Sequence, residues 1–318
     1  MAMVVHRRTR AVGADAVTAT AAMVAAVAAV LAGCSPGGGA GAVRPPAGKV
    51  VAGPVDAGEA GAADAGASGP AGAGEAGEAG AGEVGGGPLG AVRAAPDLLA
   101  RSGTSRARTA LEMVTGGTRL TIEGEGGYDF RAGHGRVRVL LPEDGDRPRR
   151  AITELFTPGA LYMKDRGAGV PADKWVRVDT TTLQDGNLVT GGATDPGAAA
   201  ELLRAARKVT YVGRVRVGGV RVAHYRGTTD IGAAARAAAP WARGALVAAA
   251  KGFVTDTVPF DAYLDEAGRL RKVRHRFSFA NGEREVEVAS TTELYAFGAE
   301  VEVWLPPRAH IYTGRIST

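Results

Sequence analysis

Cysteine is all but missing: Cys34 is the one thiol in 318 residues. No internal disulfide can form and no thiolate-bound zinc site can be built, so the fold must stand on its core. Aromatic residues make up only 5% of the chain, and residues 35–95 hold none. No long hydrophobic run is present either. The most apolar stretch, residues 16–32, falls short of the roughly 20 residues that a membrane-spanning helix needs. Neither sign of charge prevails: 38 Lys and Arg face 33 Asp and Glu, a net charge of +5. That balance is too even to argue for a nucleic-acid partner. His134, His224, His275 and His310 fall in no metal-ligand spacing, and HExxH does not occur. No catalytic residue, metal or cofactor is assigned, and the chain is not read as an enzyme.

What is present begins with an export signal. His6, Arg7, Arg8 and Arg10 form a basic head before the alanine-rich apolar run, and small residues follow. This is the plan of a secretory signal peptide over residues 1–33. Leu31-Ala32-Gly33-Cys34 resembles the bacterial lipobox, in which the cysteine is acylated and becomes the mature N-terminus. Acylation accounts for a lone cysteine in an exported chain, and several acyl chains give stable anchoring at about 0.8 kcal/mol per buried methylene. The expected location is the outer face of the cytoplasmic membrane, by a general or a twin-arginine route.

Residues 34–95 read as the lipidated cysteine and a disordered tether. The stretch is glycine, alanine, proline and scattered acids, as in "AGAGEAGEAGAGEVGGGP". It offers little to bury, so ordering it would not recover its entropy cost. Its composition also generates false motifs. Gly72-Ala-Gly74-Glu-Ala-Gly77 and Gly80-Ala-Gly82-Glu-Val-Gly85 match the dinucleotide fingerprint, but neither follows a strand or opens a helix. Gly33-Cys34-Ser35-Pro36-Gly37 matches a nucleophile elbow across the expected cleavage site.

Residues 96–318 read as one domain large enough for a sizeable core. Its main signal is period-two alternation. Val137, Val139 and Leu141 alternate with Arg136 and Arg138; Val176 and Val178 flank Arg177; Val273, His275, Phe277 and Phe279 alternate with Arg274, Arg276 and Ser278. Such strands belong to antiparallel sheet with one buried face. Gly218-Gly219 and Ala267-Gly268 read as turns between strands. Helices are expected over residues 96–102, over 196–208 behind an Asp195 cap, and as two pieces over 231–251 broken at Pro240. The class is α+β.

Four segments carry a resemblance: "DKWVRVD" (173–179), "VAHYRGTTDI" (222–231), "VPFDAYLDEAGRLRKVRHRFSF" (258–279) and "TTELYAFG" (291–298). They resemble the actinobacterial lipoprotein family typified by LppX and LprG over residues 97–307. The resemblance implies a strongly curved antiparallel half-barrel with a few helices over its concave side, similar to LolA and LolB. It also implies a non-catalytic, monomeric partner of lipid or glycolipid acyl chains. An envelope sensor or protein-interaction module of the same fold, with no bound lipid, is the alternative. In the half-barrel reading Leu120, Ile122, Val137, Val139, Leu161, Met163, Val176, Val178, Phe277 and Phe279 line the concave cavity. His224 and His275 are expected as sheet-face histidines with satisfied hydrogen bonds, and Asp261 and Asp265 as turn or solvent-face carboxylates. The basic run "RLRKVRHRF" (269–277) reads as a solvated strand or as a contact for anionic headgroups.

Overall fold

The computed structural model describes residues 50–51, 86–115, 118–142, 149–166, 169–253, 257–281 and 284–314; for 50–51, 115, 118, 278–281 and 284–286 it describes the backbone alone. The expected signal peptide, Cys34 and most of the expected tether lie outside these residues. Among the described residues twelve strands occur in chain order: β1 (Val50–Val51), β2 (Thr104–Thr115), β3 (Thr118–Asp129), β4 (His134–Leu141), β5 (Arg150–Thr157), β6 (Ala160–Lys164), β7 (Trp175–Asp179), β8 (Ala206–Val217), β9 (Val220–Asp230), β10 (Thr257–Leu264), β11 (Leu270–Asn281) and β12 (Arg284–Tyr295). Among the described residues four α-helices accompany them: α1 (Gly87–Ser102), α2 (Pro196–Glu201), α3 (Ile231–Ala237) and α4 (Pro240–Gly252).

Eleven strands form one antiparallel path in the order β7-β6-β5-β4-β3-β2-β12-β11-β10-β9-β8, and β1 pairs with β11 off that path. The path is two meanders, β2–β7 and β8–β12, sewn together along β2 and β12. The sheet does not close, and the fold is a curved α+β half-barrel with the helices on its concave side. Glycines permit the curvature where neighbouring strands crowd. A Cβ at Gly126 would stand 1.9 Å from the Arg136 carbonyl oxygen, and one at Gly124 would stand 2.7 Å from Val137 Cγ1. Glycine in a strand interior marks such close approaches.

The helices depart from their expected bounds in two places. The sequence reading placed the tether to residue 95 and the first helix at Pro96, but α1 begins at Gly87 and carries Pro96 inside it. Val92, Ala95 and Leu99 are fully buried on its inner face. That burial outweighs the backbone hydrogen bond that an interior proline removes. Arg131 closes the other end, donating from Nε to the Ala100 carbonyl (3.0 Å) and from Nη2 to the Arg101 carbonyl (2.9 Å). The second departure is α2, expected to reach Lys208. Its α-helical part ends at Glu201, a 3₁₀ turn covers Leu202–Ala205, and β8 starts at Ala206. Pairing wins here: Ala206 meets Thr229 of β9, Arg93 Nε donates to the Ala206 carbonyl, and the Thr229 hydroxyl donates to the Leu202 carbonyl. The Asp195 cap is as expected, accepting from the Gly197 and Ala198 amides. The chain also breaks at Pro240 as expected, with Asp230 capping α3 through the Ala233 amide.

After β12 the chain straps the convex face. Gly298 donates its amide to the Thr104 carbonyl, and the Thr104 hydroxyl donates to the Ala299 carbonyl (2.7 Å). Val301 lies against Gly127 of β3, where a Cβ would come within 2.8 Å of it. Further on, Lys174 Nζ donates to the Ala309 carbonyl, Ile311 bridges Trp175 in parallel, and the Tyr312 amide donates to the Trp175 carbonyl. The segment thus runs from the central seam to β7, the outermost strand of its meander.

Candidate functional site: the covered concave face

Strand register gathers the expected cavity residues onto one face. Val176, Met163, Glu154, Val137, Gly126, Ala107 and Leu294 form one row across β7, β6, β5, β4, β3, β2 and β12. Val178, Leu161, Phe156 and Gly135 form the row beside it. Ile152, Val139, Gly124, Thr109, Thr292 and Val273 form a third. Leu120, Met113, Val288 and Phe277 make a row nearer the other end, next to Ile122, Leu111, Ser290, His275 and Phe260. Ile122, Val137, Val139, Leu161, Met163, Val176 and Phe277 are buried in a single hydrophobic cluster, and Leu120 and Val178 pack against it half-buried. The Phe279 side chain lies outside the described residues; its backbone pairs with Val286 and Val50.

The compartment under this face is filled by the chain itself. Residues 180–195, between β7 and α2, run through it as an irregular plug whose residues are mostly buried. Leu188 is fully buried and Leu183 and Ala193 nearly so. A buried loop must satisfy its own backbone, and Asp185 does much of this. Its carboxylate accepts from the Asn187, Val189 and Thr190 amides and from the Thr190 hydroxyl. Thr194 Oγ1 stands 2.6 Å from Ser290 Oγ, tying the plug to β12.

Helix α4 closes over the plug by contact between small residues. A Cβ at Gly252 would stand 1.8 Å from the Gln184 carbonyl oxygen, and one at Gly186 would stand 2.1 Å from that of Ala245. The large side chain of α4, Trp241, lies over Gly133 and Gly197 and packs on Tyr128 with ring centroids 6.1 Å apart. The alanine-rich helices therefore pack tightly onto what lies beneath them. The space left beside Phe156, Asn187, Asp195 and Trp241 is about 20 Å³. That is room for about one water.

Glu154, Asp195 and His275 are ionisable groups of this interior whose titration burial shifts far. Glu154 sits between Val137 and Met163 with no exposed surface, and neither of its oxygens meets a hydrogen-bond partner at ordinary geometry. Burial pushes its carboxyl up to about 8, against the opposing pull of the Arg166 charge and the Ala193 amide. Arg166 also holds the plug, donating from Nη1 to the Gly191 carbonyl (3.1 Å). Asp195 is raised to about 6, chiefly by burial. His275 occupies the concave face as alternation predicts, but its Nε2 has no partner, so the expected satisfied hydrogen bond is missing there. Burial, aided by the Arg276 charge, lowers it to about 3. It is a neutral ring packed between Phe260 and Phe277.

The convex face carries a different cluster. Asp261 was expected in solvent, yet it is 3% exposed. His224 Nε2 lies 2.7 Å from its Oδ1, Arg226 Nε donates to Oδ1, and Arg276 Nη2 donates to Oδ2. The His224 ring stacks on Tyr263 at 4.4 Å, so that histidine is satisfied as expected. Asp265 is turn-located as expected, accepting from the Ala267 and Arg269 amides, but it too is largely covered. Three cations of the basic run on β11 are neutralised by their neighbours. Lys272 meets Glu293, Arg274 meets Glu112 and Arg276 meets Asp261. Among the described residues no group of three or more His, Cys, Asp or Glu is placed to hold a metal ion, and no helix is long and apolar enough to cross a membrane.

No family model matches the chain, and no curated protein does. Solved structures do. The lipoprotein LprF from Mycobacterium bovis is 14% identical, with a TM-score of 0.36 over 69% of this chain and 96% of its own. Lipoprotein LppX from Mycobacterium tuberculosis is 10% identical, with a TM-score of 0.36 over 68% of this chain and 97% of its own. A LolA superfamily protein from Nitrosomonas europaea is 10% identical, with a TM-score of 0.30 over 66% and 94%. The chain is similar to these structures. The fold itself rests on the strand order and register given above.

Proposed function

We propose that this chain is an exported, non-catalytic envelope lipoprotein, anchored through Cys34, whose half-barrel takes up lipid or glycolipid acyl chains in place of its plug. The observation that carries the reading is that residues 180–195 fill a largely apolar compartment with few large side chains. Leu183 and Leu188 are the large side chains the plug buries fully or nearly so, and each contributes about 1.5–3 kcal/mol. An acyl chain contributes about 0.8 kcal/mol per buried methylene. About eight methylenes therefore offset both leucines. The lid over the plug is light as well, since Ile231 and Leu246 are the only buried residues of α3 and α4 larger than alanine.

One observation favours the second reading, a sensor or interaction module with no lipid inside. The remaining space of about 20 Å³ is far below the roughly 300–1,000 Å³ of ligand pockets. Organic extraction of the purified protein followed by mass spectrometry separates the two. Co-purifying lipid that disappears in Met163→Trp, with the unfolding midpoint unchanged, supports the carrier. No lipid in the parent, together with a loss of about 1–3 kcal/mol in Met163→Trp from overpacking, leaves the interaction module.

A further inference from the structure

The two strands farthest from β7 carry a surface that the compartment does not use. β8 is the last strand of the path, and β9 outruns β10, whose final residue Leu264 pairs with Ala223. Residues 215–221 therefore stand beyond the sheet as a two-stranded ribbon, turned at Gly218 and Gly219, both at positive φ, with Val222 buried at its root. From Ala206 to Arg226 there are six Lys and Arg residues and no Asp or Glu. Arg207 pairs with Asp230 and Arg226 with Asp261. Among the described residues Lys208, Arg214, Arg216 and Arg221 meet no carboxylate, unlike Lys272, Arg274 and Arg276 of β11.

Strand β8 exposes apolar side chains where it leads into the ribbon. Tyr211, Val212 and Val215 are 47%, 50% and 42% exposed, half of the six exposed large apolar residues described. We propose that this ribbon docks on the anionic surface of a phospholipid bilayer. Guanidinium groups that meet no carboxylate suit lipid phosphates, and valine and tyrosine gain by leaving water at the headgroup boundary. Because the ribbon stands clear of the sheet, both of its faces reach that layer at once. Valines offer neither stacking nor hydrogen bonds to a nucleic acid. Addition of a partner strand is opposed by register shifts near Lys208, at φ 49°, and Gly213, at φ 151°. The proposal goes beyond the compartment reading and holds whether or not lipid enters the half-barrel.

The test is flotation of the full mature chain carrying Cys34→Ala, so that no acyl group contributes. Vesicles of phosphatidylcholine containing phosphatidylglycerol are compared with phosphatidylcholine alone. Binding is expected to the anionic vesicles only, to fall with added salt, and to weaken about a hundredfold in Arg214→Gln/Arg216→Gln/Arg221→Gln, at about fivefold per charge. Tyr211→Ser/Val215→Ser is expected to weaken binding while leaving its salt dependence. These sites are exposed, and an unchanged unfolding midpoint shows that each variant is folded. Arg136→Gln/Arg138→Gln, elsewhere on the surface, is expected to bind as the parent does. Absence of vesicle binding overturns the proposal, as does equal loss in the Arg136/Arg138 variant. Binding to a soluble polyanion such as heparin but not to vesicles also overturns it.

Discussion

Arg276 Nη2 lies 2.6 Å from Asp261 Oδ2, across adjacent strands on the convex face of the half-barrel. The carboxylate is buried and also holds His224 and Arg226. Burial works against its charge, but the hydrogen bonds of His224 and Arg276 and the arginine charges prevail, so its pKa lies below the usual value. A depressed carboxylate stabilises the fold above its unfolded pKa, and that contribution is lost as pH falls through the folded value. Asp261→Asn is expected to cost about 2 kcal/mol at neutral pH, with the difference from the parent shrinking in acid. Urea unfolding at a series of pH values measures it.

Glu154 should give the opposite slope. Its folded pKa of about 8 lies above that of an unfolded glutamate, so the folded state holds a proton the unfolded state has lost. Stability is fully present below the unfolded pKa and falls as pH rises, by at most about 1.4 kcal/mol per unit, until the folded pKa is passed. Glu154→Gln removes this contribution. The variant is expected to gain on the parent between weakly acidic pH and pH 8, and thermal midpoints across that range decide it. A constant offset between the two would mean that Glu154 does not titrate in this window.

The start of the folded unit is testable by truncation. A chain beginning at Pro96 loses the first part of α1, with the buried side chains of Val92 and Ala95. Val92 alone contributes about 1.5–3 kcal/mol on burial. The truncated protein is expected to unfold at a clearly lower temperature than one beginning at Gly86. Equal midpoints would place the boundary where the sequence composition suggested.

Anchoring depends on Cys34 in the proposed reading. Cys34→Ala is expected to release the protein from membranes or leave its signal unprocessed, as seen by cell fractionation and by the mass of the chain. Normal processing with full membrane retention would count against acylation as the anchor. If the β8–β9 ribbon contributes, residual association should be weak and removed by salt.

Strands were legible wherever branched residues alternate with arginine, as in β4, β7 and β11. β2 was not, because its inward positions include Ser105, Ala107 and Thr109, which have little hydropathy contrast with their neighbours. β5 hid for another reason: Glu154 puts a carboxyl where the pattern calls for an apolar group. The beginning of α1 reads like the glycine-rich stretch before it, and only packing against the sheet distinguishes the two. The plug was the largest omission. "TTTLQDGNLVTGGATD" has the composition of a surface loop, and its burial comes from Asp185, which satisfies its backbone locally. No period in a sequence encodes that.

The joining of the two meanders along β2 and β12 sets an order of events for an exported chain. Residues 104–115 emerge before their second neighbour, residues 284–295, with every strand from β3 to β11 between them. Until then β2 presents an unpaired edge and the first meander lacks the strap that later binds Trp175. Long-range pairing of this kind is slow and exposes sticky edges. A chain stalled in translocation before residue 284 would therefore be a target for proteases and chaperones outside the membrane, and small C-terminal deletions should lower yield more than their few contacts suggest.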